Sequence, residues 1–108
     1  MAYTSIGAIA TTTLTSIYTV PAGKTVYLTT LMASNYSTAG SSDVTFVWRD
    51  ASNGNADYEL SYEVTVPISV VYNGLPNPGK FFLNEGDQIL VKASSANVLK
   101  AILSVAEA

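Results

Sequence analysis

The sequence contains neither cysteine nor histidine among its 108 residues. Without cysteine there is no disulfide framework and no thiolate chemistry, and redox usage says nothing about compartment. Without histidine the commonest general base and the commonest metal ligand are both missing. Ser-His-Asp and Cys-His arrangements are impossible within the chain, and a zinc site would need carboxylates alone. Charge is sparse as well: 12% of the residues are Asp, Glu, Lys or Arg, against about 25% in ordinary soluble domains. The net charge of −3 comes from scattered residues, with no basic run to neutralise a row of phosphates, so nucleic acid is not an expected partner. Nowhere do about 18 apolar residues run together, and Met1-Ala2-Tyr3-Thr4-Ser5-Ile6 lacks the basic and apolar segments of a signal peptide. The chain therefore reads as soluble and made in a cytoplasm, with no membrane partner.

What is present is β-rich. In Tyr58–Val66, Tyr58, Leu60, Tyr62, Val64 and Val66 alternate with Glu59, Ser61, Glu63 and Thr65, the period of a half-buried strand with one wet face. Val44, Phe46 and Trp48 share one face of a second run, and Ile89, Val91 and Ala93 one face of a third. Between Thr25 and Asn35 the apolar phase slips from Val26 and Leu28 to Leu31 and Ala33, which predicts a bulge near Thr29-Thr30 or burial on both faces. Pro67 cannot donate to a ladder, so the chain is expected to change sheet or direction there. Val98–Val105 places Leu99, Ala101, Leu103 and Val105 inward as a strand, although Leu99, Ile102, Leu103 and Ala106 also have helical spacing.

Turn residues break these runs at short intervals, as at Pro21-Ala22-Gly23, Asn53-Gly54 and Asn84-Glu85-Gly86. The fold class follows: all-β, a single β-sandwich or jelly roll of about eight short antiparallel strands, one of them near Thr12–Val20. The chain divides into an N-terminal arm over residues 1–10 and one sandwich domain over 11–108. The uncharged arm is expected to pair with the sheet or to lie on a neighbouring subunit. Two segments share a shape, Ile17–Leu28 around Gly23 and Phe81–Val91 around Gly86, and read as ordinary sandwich hairpins.

Candidate chemistry is thin. Glu59 and Glu63 would lie roughly 13 Å apart on a regular strand, too far for paired-carboxylate glycoside hydrolysis. Lys92 with Ser94 could in principle form a base and a nucleophile, but both sit among ordinary polar residues at a strand end. Glu85 and Asp87 flank Gly86, where carboxylates cap backbone donors or face water. Asp50–Asp57 crowds oxygen donors around a glycine turn, yet Gly54 falls fifth and no glutamate stands twelfth, so a solvated hairpin loop is favoured over calcium. Asn35-Tyr36-Ser37 fits a glycosylation acceptor without an export signal to accompany it. Trp48 beside Arg49 could offer a sugar-stacking platform, but core packing of Trp48 and Phe46 is the favoured reading. No cofactor is expected, no metal, no small-molecule substrate and no enzymatic activity.

Two segments carry a resemblance. Tyr18-Thr-Val-Pro-Ala-Gly-Lys-Thr-Val-Tyr-Leu-Thr-Thr-Leu-Met-Ala-Ser-Asn35 and Phe82-Leu-Asn-Glu-Gly-Asp-Gln-Ile-Leu-Val-Lys-Ala-Ser94 resemble, in order, the strand, Val-Pro-x-Gly turn and Gly-Asp-x-Ile-x-Val strand of small structural proteins of tailed-bacteriophage virions. The resemblance implies a capsid decoration (cement) protein, a homotrimer that binds the major capsid protein on the outer surface of the capsid and stabilises it. A tail, neck or baseplate protein is the alternative, and a carbohydrate-binding sandwich a more distant one. The expected contacts are the arm Ala2–Ile9, the loop Tyr36–Ser42 and Tyr72–Pro78. Within them the interface candidates are Ala2, Tyr3, Ile6, Ile9, Tyr36, Tyr72, Leu75 and Pro76.

Overall fold

Short alternating runs separated by turn residues fold, in a computed structural model that describes residues 3–75 and 81–107, into nine strands. They are β1 (Tyr3–Ile9), β2 (Thr15–Thr19), β3 (Val26–Asn35), β4 (Ser42–Asp50), β5 (Ala56–Val66), β6 (Val71–Asn73), β7 (Phe81–Leu83), β8 (Gln88–Ala93) and β9 (Leu99–Glu107). One turn of 3₁₀ helix, Ala51–Asn53, joins β4 to β5. The first sheet has the order β1-β9-β3-β6, with β7 also on β3; the second has the order β2-β8-β4-β5. Every pairing is antiparallel. Both β6 and β7 lie along β3, at Met32–Ser34 and Val26–Leu28. Counted as one interrupted strand, they leave four positions in each sheet, the layout of an eight-strand jelly roll.

The inner faces supply the core. Phe46, Leu28, Leu31, Leu83, Ile89, Leu99 and Leu103 are fully buried there, each worth about 1.5–3 kcal/mol in apolar surface withdrawn from water. In β9 the strand phase holds and the helical one does not: Leu99, Ala101, Leu103 and Val105 all join the core. Ile89, Val91 and Ala93 of β8 do the same. The slip in β3 is a bulge, since Leu28 faces Val105 and Thr30 faces Ser104, leaving Thr29 as the extra residue. That residue turns Leu31 and Ala33 back inward. At Pro67 the chain leaves β5 in the second sheet for β6 in the first, through a turn in which Val70 N–H donates to Pro67 O at 3.2 Å. The arm pairs with the sheet: β1 runs along β9 in unbroken register from Tyr3↔Ala106 to Ile9↔Lys100.

Two expectations need correction. β5 is a strand, but its register against β4 shifts twice, between Val44↔Val64 and Phe46↔Ser61 and again before Val47↔Glu59. The first shift reverses the alternation and the second restores it, so Ser61 is buried and Tyr62 exposed, while Tyr58 returns to the side of its pair partner Trp48. Glu63 takes φ of +49° in the first bulge, and its N–H donates to Thr45 Oγ1 at 3.1 Å. The two look-alike segments are likewise not hairpins. Each carries the chain from one sheet to the other, β2 to β3 and β7 to β8.

These two crossings run side by side. β2 pairs with β8 and β3 with β7, and the corner between is closed by Val20 N–H to Asp87 O (2.9 Å) and Gly86 N–H to Val20 O (3.0 Å). Glu85 Oε2 accepts from Gly23 N–H at 2.8 Å. Gly23 and Gly86 have φ of +76° and +83°, the left-handed region in which a side chain is strained. Segments 18–35 and 82–94 are thus partners in one corner of the sandwich.

Candidate assembly surface

Paired residues of antiparallel neighbours point to the same face, so the ladder of the first sheet fixes what its outer face presents. One row runs Tyr3, Ala106, Tyr27, Phe82; the next Ser5, Ser104, Thr30; then Gly7, Ile102, Met32, Asn73; then Ile9, Lys100, Ser34, Val71. Tyr3 is 73% exposed and Phe82 58%, and Ile9, Val71 and Ile102 are exposed as well. Tyr27 and Phe82 meet edge to face at 5.9 Å. Ser5 and Ser104 share a hydroxyl hydrogen bond of 2.8 Å. In these rows Lys100 is the one ionised side chain, and its Nζ lies 4.6 Å from the centre of the Tyr36 ring. A shallow hollow of about 400 Å³ lies over Gly7, Ile9, Lys100 and Ile102, with glycine in its floor.

The outer face of the second sheet is the opposite in character. There Arg49 and Asp57 form a bidentate pair at 2.7 and 2.9 Å, and the Arg49 hydrogen bonds hold the Asp57 carboxyl below its ordinary pKa. Asp43, Thr45, Glu63, Lys92 and Ser94 line a polar cleft of about 260 Å³. Ser94 Oγ in that cleft accepts from Asp43 N–H at 2.8 Å and lies 3.2 Å from Ser42 Oγ. Lys92 and Ser94 therefore line one cleft, with the hydroxyl tied into the strand end. Among the described residues no three acidic side chains converge as a metal site would require.

The Asp50–Asp57 loop engages its carboxylates internally. Asp50 Oδ1 accepts from Ser52 N–H and Ser52 Oγ, at 3.2 and 2.8 Å, and Asp57 is held by Arg49. Asn35 is buried, and its Nδ2 donates to Gly40 O and Val66 O, so the triplet that fits a glycosylation acceptor presents no free amide. Trp48 is packed on both sides: Tyr58 stacks on it at 5.3 Å, Phe81 meets it edge-on at 5.4 Å, and its Nε1 donates to Asp87 at 3.2 Å. Asp87, 1% exposed, also accepts from Ala51 N–H and Asn84 N–H, both at 3.0 Å. Tyr18 sits against the core near Glu107; burial first, and that carboxylate second, raise its phenol pKa.

Of the residues proposed for an interface, Tyr3 and Ile9 lie at opposite ends of β1 on the first sheet's outer face, and Tyr36 stands by Lys100 at the Ile9 end. Ile6 and Tyr72 do not: Ile6 pairs with Leu103 and Tyr72 with Ala33, both on the inner face, and both pack against the core. Leu75 is 6% exposed and belongs to the core; the chain turns inward where Gly74 N–H donates to Leu31 O at 2.7 Å. Ala2 and Pro76 lie outside the described residues. Phe82, Val71 and Ile102 were absent from the sequence-based set. Ile102 had a signal, since a strand phase that buries Leu99, Ala101 and Leu103 must turn Ile102 outward. Val71 and Phe82 sit in strands of three residues, too short for alternation to be read.

In comparisons with known proteins, no family model, no curated protein and no solved structure matches this chain.

Proposed function

We propose that this protein is a structural assembly subunit, which acts by binding other proteins through the outer face of the β1-β9-β3-β6 sheet. The observation that carries the reading is the contrast between the two faces. One displays Asp43, Arg49, Asp57, Glu59 and Lys92; the other displays tyrosine, phenylalanine, isoleucine and valine around a single lysine. Exposed aromatic and aliphatic side chains gathered on one charge-poor face mark protein contact sites, where aromatic residues are enriched and acidic ones depleted.

The resemblance of the two corner segments to phage structural proteins gives this surface a setting. In that setting the protein decorates the outside of a tailed-phage capsid as a homotrimer and binds the major capsid protein. A decoration subunit that binds the mature shell and not its precursor stabilises the shell by mass action, and many copies add modest contacts through symmetry. Cryo-electron microscopy of virions carrying the tagged protein tests the placement. Copies spread over the shell around local symmetry axes are expected. A ring at one vertex would replace the capsid reading with the tail or neck reading, and absence from the particle would remove both. Phe82→Glu and Ile102→Glu should abolish incorporation while leaving the unfolding midpoint close to that of wild type.

A further inference from the structure

The four sheet edges are not alike. β5 ends the second sheet with two register shifts and with Asp57, Glu59 and Glu63 along it. β2, at that sheet's other end, is five residues long and has one shift. On the far side of the first sheet β6 and β7 are three residues each. Short length, bulges and charge are the devices that keep a sheet edge from pairing with another chain. β1 has none of them: seven residues, no charge, no proline, no bulge, and β9 as its one strand partner among the described residues.

We propose that β1 is a self-association edge, pairing antiparallel with β1 of a second copy about a two-fold axis through Ile6. That register sets Tyr3 opposite Ile9, Thr4 opposite Ala8, Ser5 opposite Gly7, and Ile6 opposite itself. Tyr3, Ser5, Gly7 and Ile9 all lie on the outer face, so the pairing keeps each residue on its own side. The two most exposed apolar side chains of the strand, Tyr3 and Ile9, then cover each other twice, an aromatic and β-branched cross-strand pair. The Tyr3 ring of one copy reaches the hollow over Gly7 and Ile9 of the other, the arrangement in which an aromatic covers a strand glycine. A single row of charge would prevent the pairing, and there is none to oppose it. The two outer faces join into one continuous surface. This contact is separate from any three-fold contact and does not depend on the virion setting.

The decisive pair of variants is Ser5→Lys/Gly7→Lys and Ser5→Lys/Gly7→Glu. Both positions are exposed, and a Cβ at Gly7 meets nothing closer than Ala101 O at 4.0 Å, so the fold accommodates either; urea unfolding of dilute protein confirms it. In sedimentation equilibrium the wild type is expected to associate by a two-fold step. The Lys/Lys variant, with like charges opposed twice, should weaken that step about tenfold or more, and Lys/Glu, with opposite charges opposed twice, should restore it. A wild type monomeric at high concentration overturns the proposal, as does association that the Lys/Lys variant leaves unchanged. If that unchanged species is a trimer, the edge pairing fails while the assembly function stands.

Discussion

The Trp48 indole N–H donates to the Asp87 carboxylate across 3.2 Å, binding the middle of the second sheet to the corner where the two crossing segments meet. Among the described residues no cation pairs with Asp87; its oxygens are satisfied by three N–H donors, from Trp48, Ala51 and Asn84. Asp87→Ala would remove the acceptor of all three part-buried donors, and the expected loss is roughly 1–3 kcal/mol. Asp87→Asn keeps one oxygen and should lose less. Urea unfolding followed by Trp48 fluorescence measures both, and an Asp87→Ala protein as stable as wild type would contradict the role given to this carboxylate.

Neighbours on β9 should respond oppositely to truncation. Leu103 is fully buried and Ile102 lies on the outer face. Leu103→Ala is expected to cost about 2–5 kcal/mol through lost burial and a cavity, whereas Ile102→Ala should stay within about 0.5 kcal/mol for the dilute protein. Chemical denaturation of the two variants side by side checks the assignment of faces.

Gly74 sits against the largest core side chain. A Cβ there would lie 3.1 Å from Phe46 Cδ2 and 3.5 Å from Leu31 O, so Gly74→Ala must displace the ring or the chain. A loss of about 1–3 kcal/mol is expected. Phe46→Leu in the same molecule should return part of it, and a double-mutant cycle with no coupling would show that the ring is not the obstacle.

The Arg49–Asp57 pair supplies a pH dependence of known sign. Arg49 depresses the folded-state pKa of Asp57, so the contribution is fully present above about pH 4, the unfolded carboxyl range, and disappears as pH falls through the folded value. The gap in urea midpoint between wild type and Arg49→Met should be small at neutral pH, because the pair is partly exposed, and should close on acidification. A gap that widens below pH 4 would reverse the assignment.

Much of the fold was legible in the sequence because strand phase is local. The inward set of β9 follows from period, and the bulge at Thr29 and the change of sheet at Pro67 were each one of two outcomes that period and turn chemistry allowed; the uncharged arm likewise left pairing with the sheet or a neighbouring subunit open. β5 was misread in phase for a reason that is not local. Its two extra residues are needed to follow β4, and nothing in the evenly alternating Tyr58–Val66 marks where the ladder slips. The crossings at Gly23 and Gly86 were mistaken for hairpins because a tight turn looks the same whether the next strand joins its neighbour or the facing sheet.

For the candidate surface the division is similar. Composition alone established a charge-poor chain without histidine or cysteine, since those absences hold in any conformation, and strand period with turn spacing pointed to a β-sandwich. Which side of the molecule receives the few charges was decided by the antiparallel register, which gathers the outward residues of β1, β9, β3, β6 and β7 on one plane. Tyr3 and Phe82 share a row there although residues 4–81 lie between them in the chain. The same register turned Ile6, Tyr72 and Leu75 inward. A strand sequence sets the spacing of its side chains, but only the partner across the ladder determines which face they join, because one inserted residue reverses every position beyond it.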